Sequence, residues 1–389
     1  MEIIAIYLLS AVVLVMIGTD IFFAMQLWLS RIRIGKIRQV DAYMAHITAL
    51  SQQWIRQTPT VRLTDNTRLI ILDILKGNFR NDTIQFWQKA GLLIGLAELG
   101  QAGAYDTLLK EEAGKETPPE ADYVIYSYAL LKLAVLLHKE QEYAAYFHRV
   151  YQMILELKGS DTSVRYKTYT EHYRFVDTLG FICPYLVLYG QVFKNDAAVD
   201  LAIGQLEEFD AHGLYPGSSL PVHAYHYHTR MPLGLYGWAR GMGWYAIALA
   251  DVRELMDPAH PYYPVITDRV ARYAKLIMDC QRPDGSWGWQ VLVREVPADS
   301  SATVMLSWLL VNASDIPEIS ADCRQAVHNS VTYLMSVTRR SGAIDFCQGD
   351  TKSIGVYSRI FDVLPFVQGY ALRLLSRVQK SKHEYGFEG

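Results

Sequence analysis

Residues 175–191 read FVDTLGFICPYLVLYGQ, and residues 195–211 read NDAAVDLAIGQLEEFDA. In both, apolar residues recur at spacings of three and four, the helical period, and not at the two of a strand. Only a short link separates them. Two helices joined so closely run antiparallel and form a helical hairpin.

The same pattern extends outward in both directions. It predicts helices over 37–57, 65–76, 84–99, 122–138, 141–158, 239–256, 262–281, 300–313, 320–338 and 358–377, besides the two above. Several ends are readable: Asp82-Thr83 as a cap, Gly100 as a stop, Pro118-Pro119 before a start, and Gly213 and Gly342 after ends. Strand signal is scarce, and only pieces such as Trp287–Val293 look extended. Six hairpins closed in a ring give an all-α (α/α)6 barrel. The alternative is an open helical solenoid, but no repeat of fixed period supports it. Long connections at 159–174, 212–238 and 282–299 are rich in Gly, His, Tyr, Trp and Arg. They are expected to gather at one barrel mouth, where loops on a rigid scaffold carry binding groups.

The N-terminus is different. Ile3 to Leu29 reads IIAIYLLSAVVLVMIGTDIFFAMQLWL, with Asp20 its one charge. That is long enough to cross a bilayer. A signal peptide fits poorly, because Glu2 precedes the run and no clean small-x-small cleavage site follows. The expected organisation is a transmembrane anchor with a basic flank over 1–35 and a catalytic domain over 36–389. Arg31, Arg33, Lys36 and Arg38 follow the span, so the positive-inside rule puts the catalytic domain on the cytoplasmic side. Asp20 sits either at the interface or beyond a shorter span, Ile3–Thr19.

Composition narrows the function. A net charge of −3 gives no basic surplus for nucleic acid. The chain holds 26 Tyr and 8 Trp. Most such residues build core, but aromatic faces also stack on the apolar face of a sugar ring. Cys183, Cys280, Cys323 and Cys347 lie far apart, with no metal or disulfide spacing.

Three blocks can carry chemistry. Asp177 opens the apolar helix of residues 175–191, and Asp122 stands at another helix start after Pro118-Pro119. Each can be a simple helix-terminus carboxylate. Apolar neighbours around Asp177 instead point to burial, a raised pKa and a general acid. Two carboxylates facing each other across a mouth can have split pKa values. The third block runs from His223-Ala224-Tyr225-His226-Tyr227-His228 to Trp238-Ala239-Arg240-Gly241-Met242-Gly243-Trp244. Alternating His residues in a loop do not converge on a metal. Arg240 offers a fork for a carboxylate, and Trp238 and Trp244 offer stacking faces. Lys167 and Arg165 add positive charge before Asp177. Trp87 lies at an early helix start, and Ser301 follows Asp299 at a capped one.

These blocks resemble the unsaturated glucuronyl and rhamnogalacturonyl hydrolases, glycoside hydrolase families 88 and 105, from about Trp87 to the C-terminus. Gly237–Tyr245 looks like the family's W-x-R-G-N-G-W block. Asp177 falls on the family's catalytic Asp, Asp122 on its second acidic position, and His223-Ala224-Tyr225 on its His-Gly-Tyr. The resemblance implies an (α/α)6 barrel with no metal or other cofactor. It implies an oligosaccharide substrate ending in a 4,5-unsaturated uronic acid, attacked by hydration of the C4=C5 bond. Asp177 and Asp122 would be the catalytic pair. His223, Trp238, Arg240, Trp244, Lys167, Trp87 and Ser301 would bind substrate. Met242 stands in place of the family's Asn, and His226 in place of an Asp; both are expected to change substrate contacts. The other readings are a different reaction on the same barrel, or a silent sugar-binding protein in polysaccharide assembly. An enzyme requires Asp122 and Asp177 to point into one aromatic-lined cleft.

Overall fold

A computed structural model describes residues 2–387. Helix α1 is Glu2–Arg31. The rest forms helices α2 (Val40–Arg56), α3 (Ile70–Leu75), α4 (Gln85–Leu96), α5 (Asp106–Ala113), α6 (Ala121–Leu136) and α7 (Ala144–Leu157). They continue as α8 (Val176–Phe193), α9 (Asp196–His212), α10 (Ala239–Leu255), α11 (Tyr263–Asp279), α12 (Ser300–Ala313), α13 (Ser320–Ser336) and α14 (Pro365–Lys380).

Helices α4, α6, α8, α10, α12 and α14 form a closed inner ring, each packed on two neighbours, with α14 returning to α4. Helices α2, α5, α7, α9, α11 and α13 lie outside it. The division follows from sequence. Inner α6, α8 and α12 are apolar all round and buried on nearly every face, as a core helix must be. Outer α7 and α11 bury one stripe only.

Glycines set the closest approaches. A Cβ on Gly91 would lie 2.7 Å from the Phe366 Cα, and one on Gly95 would lie 2.7 Å from the Gly369 Cα. A Cβ on Gly369 would lie 2.6 Å from the Leu92 nitrogen. The seam between α4 and α14 therefore has no room for a methyl group. Away from the mouth, Arg373 of α14 ties the ring internally. Its guanidinium donates to both oxygens of Asp251 in α10 at 2.8 Å and to Glu98 at 2.7 Å, and lies 3.8 Å over the Trp308 ring of α12. The Trp308 indole and the Tyr128 hydroxyl also donate to Asp251, so this buried charge is fully engaged.

The expected elements need four corrections. The helix expected over 65–76 shrinks to Ile70–Leu75, because Thr64 and Asn66 donate to Asp73 and hold the preceding chain in a turn. Helix α5 was not expected; it follows a π turn in which Gly100 takes φ 76°. The helix expected over 358–377 begins only at Pro365, since strand Phe361–Asp362 first pairs with Cys347–Gln348. Trp287–Val293 forms no strand, only isolated bridges such as Trp238 to Gln290. A three-stranded sheet of Tyr173–Phe175, Val222–His226 and Pro232–Tyr236 covers part of the mouth.

Gly369→Ala tests the seam. Forcing a methyl group into it should destabilise the protein by about 2 kcal/mol or more, read as a lower melting temperature. A neutral result would show that α4 and α14 separate freely.

Candidate active site

Each inner helix presents its first turn at the same end of the ring. Trp87 (α4), Asp122 (α6), Asp177 (α8), Arg240 (α10), Ser301 (α12) and Phe366 (α14) are each the second or third residue of their helix. Six helix N-termini, with their partial positive charge, thus converge on the mouth. There they meet a cavity of about 470 Å³, a size suited to a small organic ligand. Of the residues singled out in the sequence, Asp177, Asp122, His223, Arg240, Trp244, Lys167 and Trp87 line it.

Asp177 retains 16% of its side-chain exposure, all that a deeply set group keeps. Its Oδ2 has no hydrogen-bond partner and lies 3.9 Å from His223 Nε2. Burial pushes its pKa up to about 7, against the pull of Arg240 and with a push from Asp350. Burial and the neighbouring Arg240 hold His223 at about 4, so its imidazole is neutral at pH 7. His223 Nδ1 meets the Tyr357 hydroxyl at 3.2 Å.

Asp122 is a mirror case on the next helix. Burial raises it to about 7, opposed by Lys167 and reinforced by Glu120. The Tyr166 hydroxyl donates to its Oδ2 at 3.4 Å, while Oδ1 is unpartnered. The 159–174 connection delivers these partners, because the Ala121 N–H donates to the Tyr166 carbonyl. Lys167 Nζ lies 2.9 Å from Glu120 and 3.9 Å from Asp122. Burial thus raises both acids.

The remaining residues fall differently from expectation. Trp238 does not line the cavity. It lies behind His223, with ring centroids 4.5 Å apart, and its indole donates to Gln348. Ser301 is fully buried and does not line the cavity either; its hydroxyl donates to Asp299. Arg165 points away and donates to the Glu156 carbonyl. Arg240 is first a clamp: its guanidinium donates to the Gln348 and Gly349 carbonyls, and it faces the cavity beyond them. Met242 is buried in the barrel wall, and His226 lies outside the cavity. His226 stacks on His172 with ring planes 7° apart. Among the described residues, no group of three or more His, Cys, Asp or Glu side chains could hold a metal ion.

Sequence reasoning missed one wall. Asp350, Thr351, Lys352, Ser353 and Ile354 line the cavity from the segment before α14. Burial raises the Asp350 pKa against the pull of Arg240, and Lys352 pairs with Asp65 at 2.9 Å. The sole signal was a polar, glycine-bracketed run, Gly349 to Gly355, with no periodicity.

An all-helical toroid with buried acids at its mouth is the architecture of the six-hairpin glycosidases. Residues 100–363 match the model of Glycosyl Hydrolase Family 88, and the chain belongs to that family. It is therefore a glycosidase of carbohydrate degradation. Solved structures share the fold at low identity. A possible member of glycoside hydrolase family 105 from Salmonella enterica serovar Paratyphi A is 15% identical, with TM-score 0.72 over 88% of this chain and 94% of that one. An unsaturated glucuronyl hydrolase specific for heparin is 15% identical, with TM-score 0.68 over 88% and 98%. The unsaturated glucuronyl hydrolase of Bacillus sp. GL1 is 12% identical, with TM-score 0.64 over 89% and 97%. No curated protein matches the chain significantly in sequence.

The raised pKa of Asp177 makes a stability prediction. Its folded pKa of about 7 exceeds the ordinary 3.8. Stability from this group is therefore complete below pH 4 and is lost as pH rises through 7. Asp177→Asn should thus be more stable than wild type at pH 8, by about 1–3 kcal/mol. The gain should vanish near pH 4, as thermal melts at both values would read.

Proposed function

We propose that this glycosidase removes a 4,5-unsaturated uronic acid from the non-reducing end of oligosaccharides by hydrating the C4=C5 bond. The observation that carries this reading is Asp177: a buried carboxyl near neutrality, with an unpartnered oxygen at the cavity wall. Such a group keeps a proton at working pH and can deliver it.

In the proposed step, Asp177 gives its proton to C4. The carboxylate left behind takes a proton from a water as that water's oxygen bonds to C5. Asp177 is thereby restored, and C5 carries a hydroxyl as a hemiketal. Opening of the hemiketal leaves a ketone at C5 and a hemiacetal at C1, and collapse of that hemiacetal to an aldehyde, its hydroxyl proton passing to the departing oxygen, expels the remaining sugar as an alcohol. His223, neutral and 3.9 Å from Asp177, has a ring nitrogen available to orient the water or a sugar hydroxyl. Asp122 orients the substrate, and Asp350 adds to the upward push on the Asp177 pKa. Lys167, Arg240 and the four helix N-termini at the cavity wall, those of α4, α6, α8 and α10, favour the uronate carboxylate. Trp87 and Trp244, 6.1 Å apart and edge-on, offer apolar surface to a sugar ring. A silent sugar-binding protein has no use for two buried acids held near neutrality.

The chain is also proposed to be a single-pass membrane protein with the barrel on the cytoplasmic side. Helix α1 is 30 residues long and apolar enough to cross a bilayer. Its end is built into the barrel. Arg31 donates to both oxygens of the buried Asp345 at 2.9 and 3.0 Å and lies 4.5 Å over the Phe346 ring. A cleaved leader would strip Asp345 of that partner, which favours a retained anchor over a signal peptide.

The test is loss of ultraviolet absorbance from unsaturated uronyl disaccharides, since hydration removes the conjugated double bond. Wild type should give a steady loss, and Asp177→Asn should reduce it by about 10²-fold or more. No loss across a broad panel of such disaccharides, from folded protein, would overturn the proposal. The acid form of Asp177 is the donor, so kcat/KM should fall as pH rises above about 7. An activity still rising between pH 7 and 9 would exclude Asp177 as the proton donor.

A further inference from the structure

Helix α1 is in contact with the barrel along only part of its length. Met16, Thr19, Asp20, Phe23, Leu27 and Ser30 are partly covered, a stripe at helical spacing, whereas residues 2–15 are exposed. Within the stripe, the Phe23 ring meets Phe79 at 4.7 Å. The uncovered run Ile3–Val15 rises roughly 20 Å at 1.5 Å per residue. A hydrocarbon core of about 30 Å needs some 20 residues. The free part is therefore too short, and the apolar layer must extend to about Asp20 and Phe22.

Something of the barrel sits at that depth. Both oxygens of Asp20 accept backbone N–H groups at the start of α3, from Leu69 at 2.8 Å and from Ile70 at 2.9 Å. These bonds fix α3 at the level of Asp20, 11 residues and about 16 Å along α1 from Arg31. Its outward side is apolar. Leu69, Leu72 and Leu75 form it, Leu75 exposed to 78%, and Ile74 is exposed at the flank beside Ile70. Its inward side carries Ile70, which is buried, and Asp73, which accepts from Thr64 and Asn66. Exposed Arg68 and Lys76 bracket the apolar run, with exposed Arg80 nearby in sequence.

We infer that α3 is a second membrane contact, lying in the lipid interface beside α1 with Leu69, Leu72, Ile74 and Leu75 in the outer acyl layer. This rests on the reading that α1 spans the bilayer. Four exposed aliphatic side chains on one short segment would be costly in water, and a lipid surface covers them. Arg68 and Lys76 then lie among anionic headgroups. The arrangement also accounts for Asp20. A carboxylate in an apolar span is expensive, but here it accepts two N–H groups that would otherwise face lipid unpaired. Two contacts, α1 and α3, fix the tilt of the barrel against the membrane where one would leave it free to swivel.

The test places a single fluorescent probe on the full-length protein. Among the native cysteines, three are buried and Cys280 is partly covered, so Cys280→Ser provides the background. Leu75→Cys, Val12→Cys and Lys275→Cys are each labelled with an environment-sensitive dye and reconstituted in phosphatidylcholine–phosphatidylglycerol vesicles. Spin-labelled lipids then act as quenchers. The Leu75 probe should shift to the blue and lose fluorescence to a shallow quencher. Val12 should lose it to a deep quencher, and Lys275, on outer helix α11, to neither. Ile74→Cys repeats the measurement at a second exposed position should the first variant misfold. A quenched Val12 with unquenched Leu75 and Ile74 would overturn the α3 contact and leave the anchor intact. No quenching at any position would overturn the anchor itself.

Discussion

The first and last helices of the inner ring touch backbone to backbone. Gly91 and Gly95 of α4 face Phe366 and Gly369 of α14 with no space for a methyl group between them. This contact turns a row of hairpins into a closed ring. Closure brings six helix starts to one end, and Trp87, Asp122, Asp177 and Arg240 sit there because each occupies the second or third position of its helix. Toward the other end, Arg373 joins α14 to Asp251 of α10 and Glu98 beyond α4, and stacks on Trp308 of α12. Hydrophobic packing brings the helices together. The glycine seam and the buried guanidinium fix which helix meets which.

The chemistry at the mouth comes from depth more than from contacts. Asp122 and Asp177 both have an oxygen without a partner and both lie near neutrality because water is kept from them. The nearest cations are engaged elsewhere. Arg240 holds the Gln348–Gly349 backbone, and Lys167 pairs with Glu120. Had either guanidinium or amine closed on a carboxylate in a full ion pair, that acid would be ionised at pH 7 and useless as a donor. Holding the positive charges slightly apart keeps them able to attract an anionic sugar without consuming the proton.

Much of the ring was legible because its inner helices are long and strongly apolar, and helical period survives over such lengths. The short elements were not. Asp73 and its Thr64 and Asn66 partners cut α3 to six residues, a local competition that periodicity does not register. Pro365 at a helix start marks the true beginning of α14. Within the site, residue type identified Asp177, Asp122 and His223. It could not tell Trp238 from Trp244, which flank the same glycine pair. Trp238 precedes α10 and packs behind His223, whereas Trp244 faces the cavity. Asp350 was illegible because its burial is supplied by segments far away in the chain.

The seam between Gly91 and Gly369 joins parts of the chain separated by most of its length. Such a contact carries a large loop-closure cost and forms late. During synthesis, the hairpins from α4 to α13 can assemble in order while α14 is still being made. The Asp350 wall of the cavity and the Gln348–Gly349 carbonyls held by Arg240 are themselves made late, just before α14. The growing chain is therefore folded in part and without a finished pocket. The ring around the pocket closes only with the last helix, α14, which returns to α4.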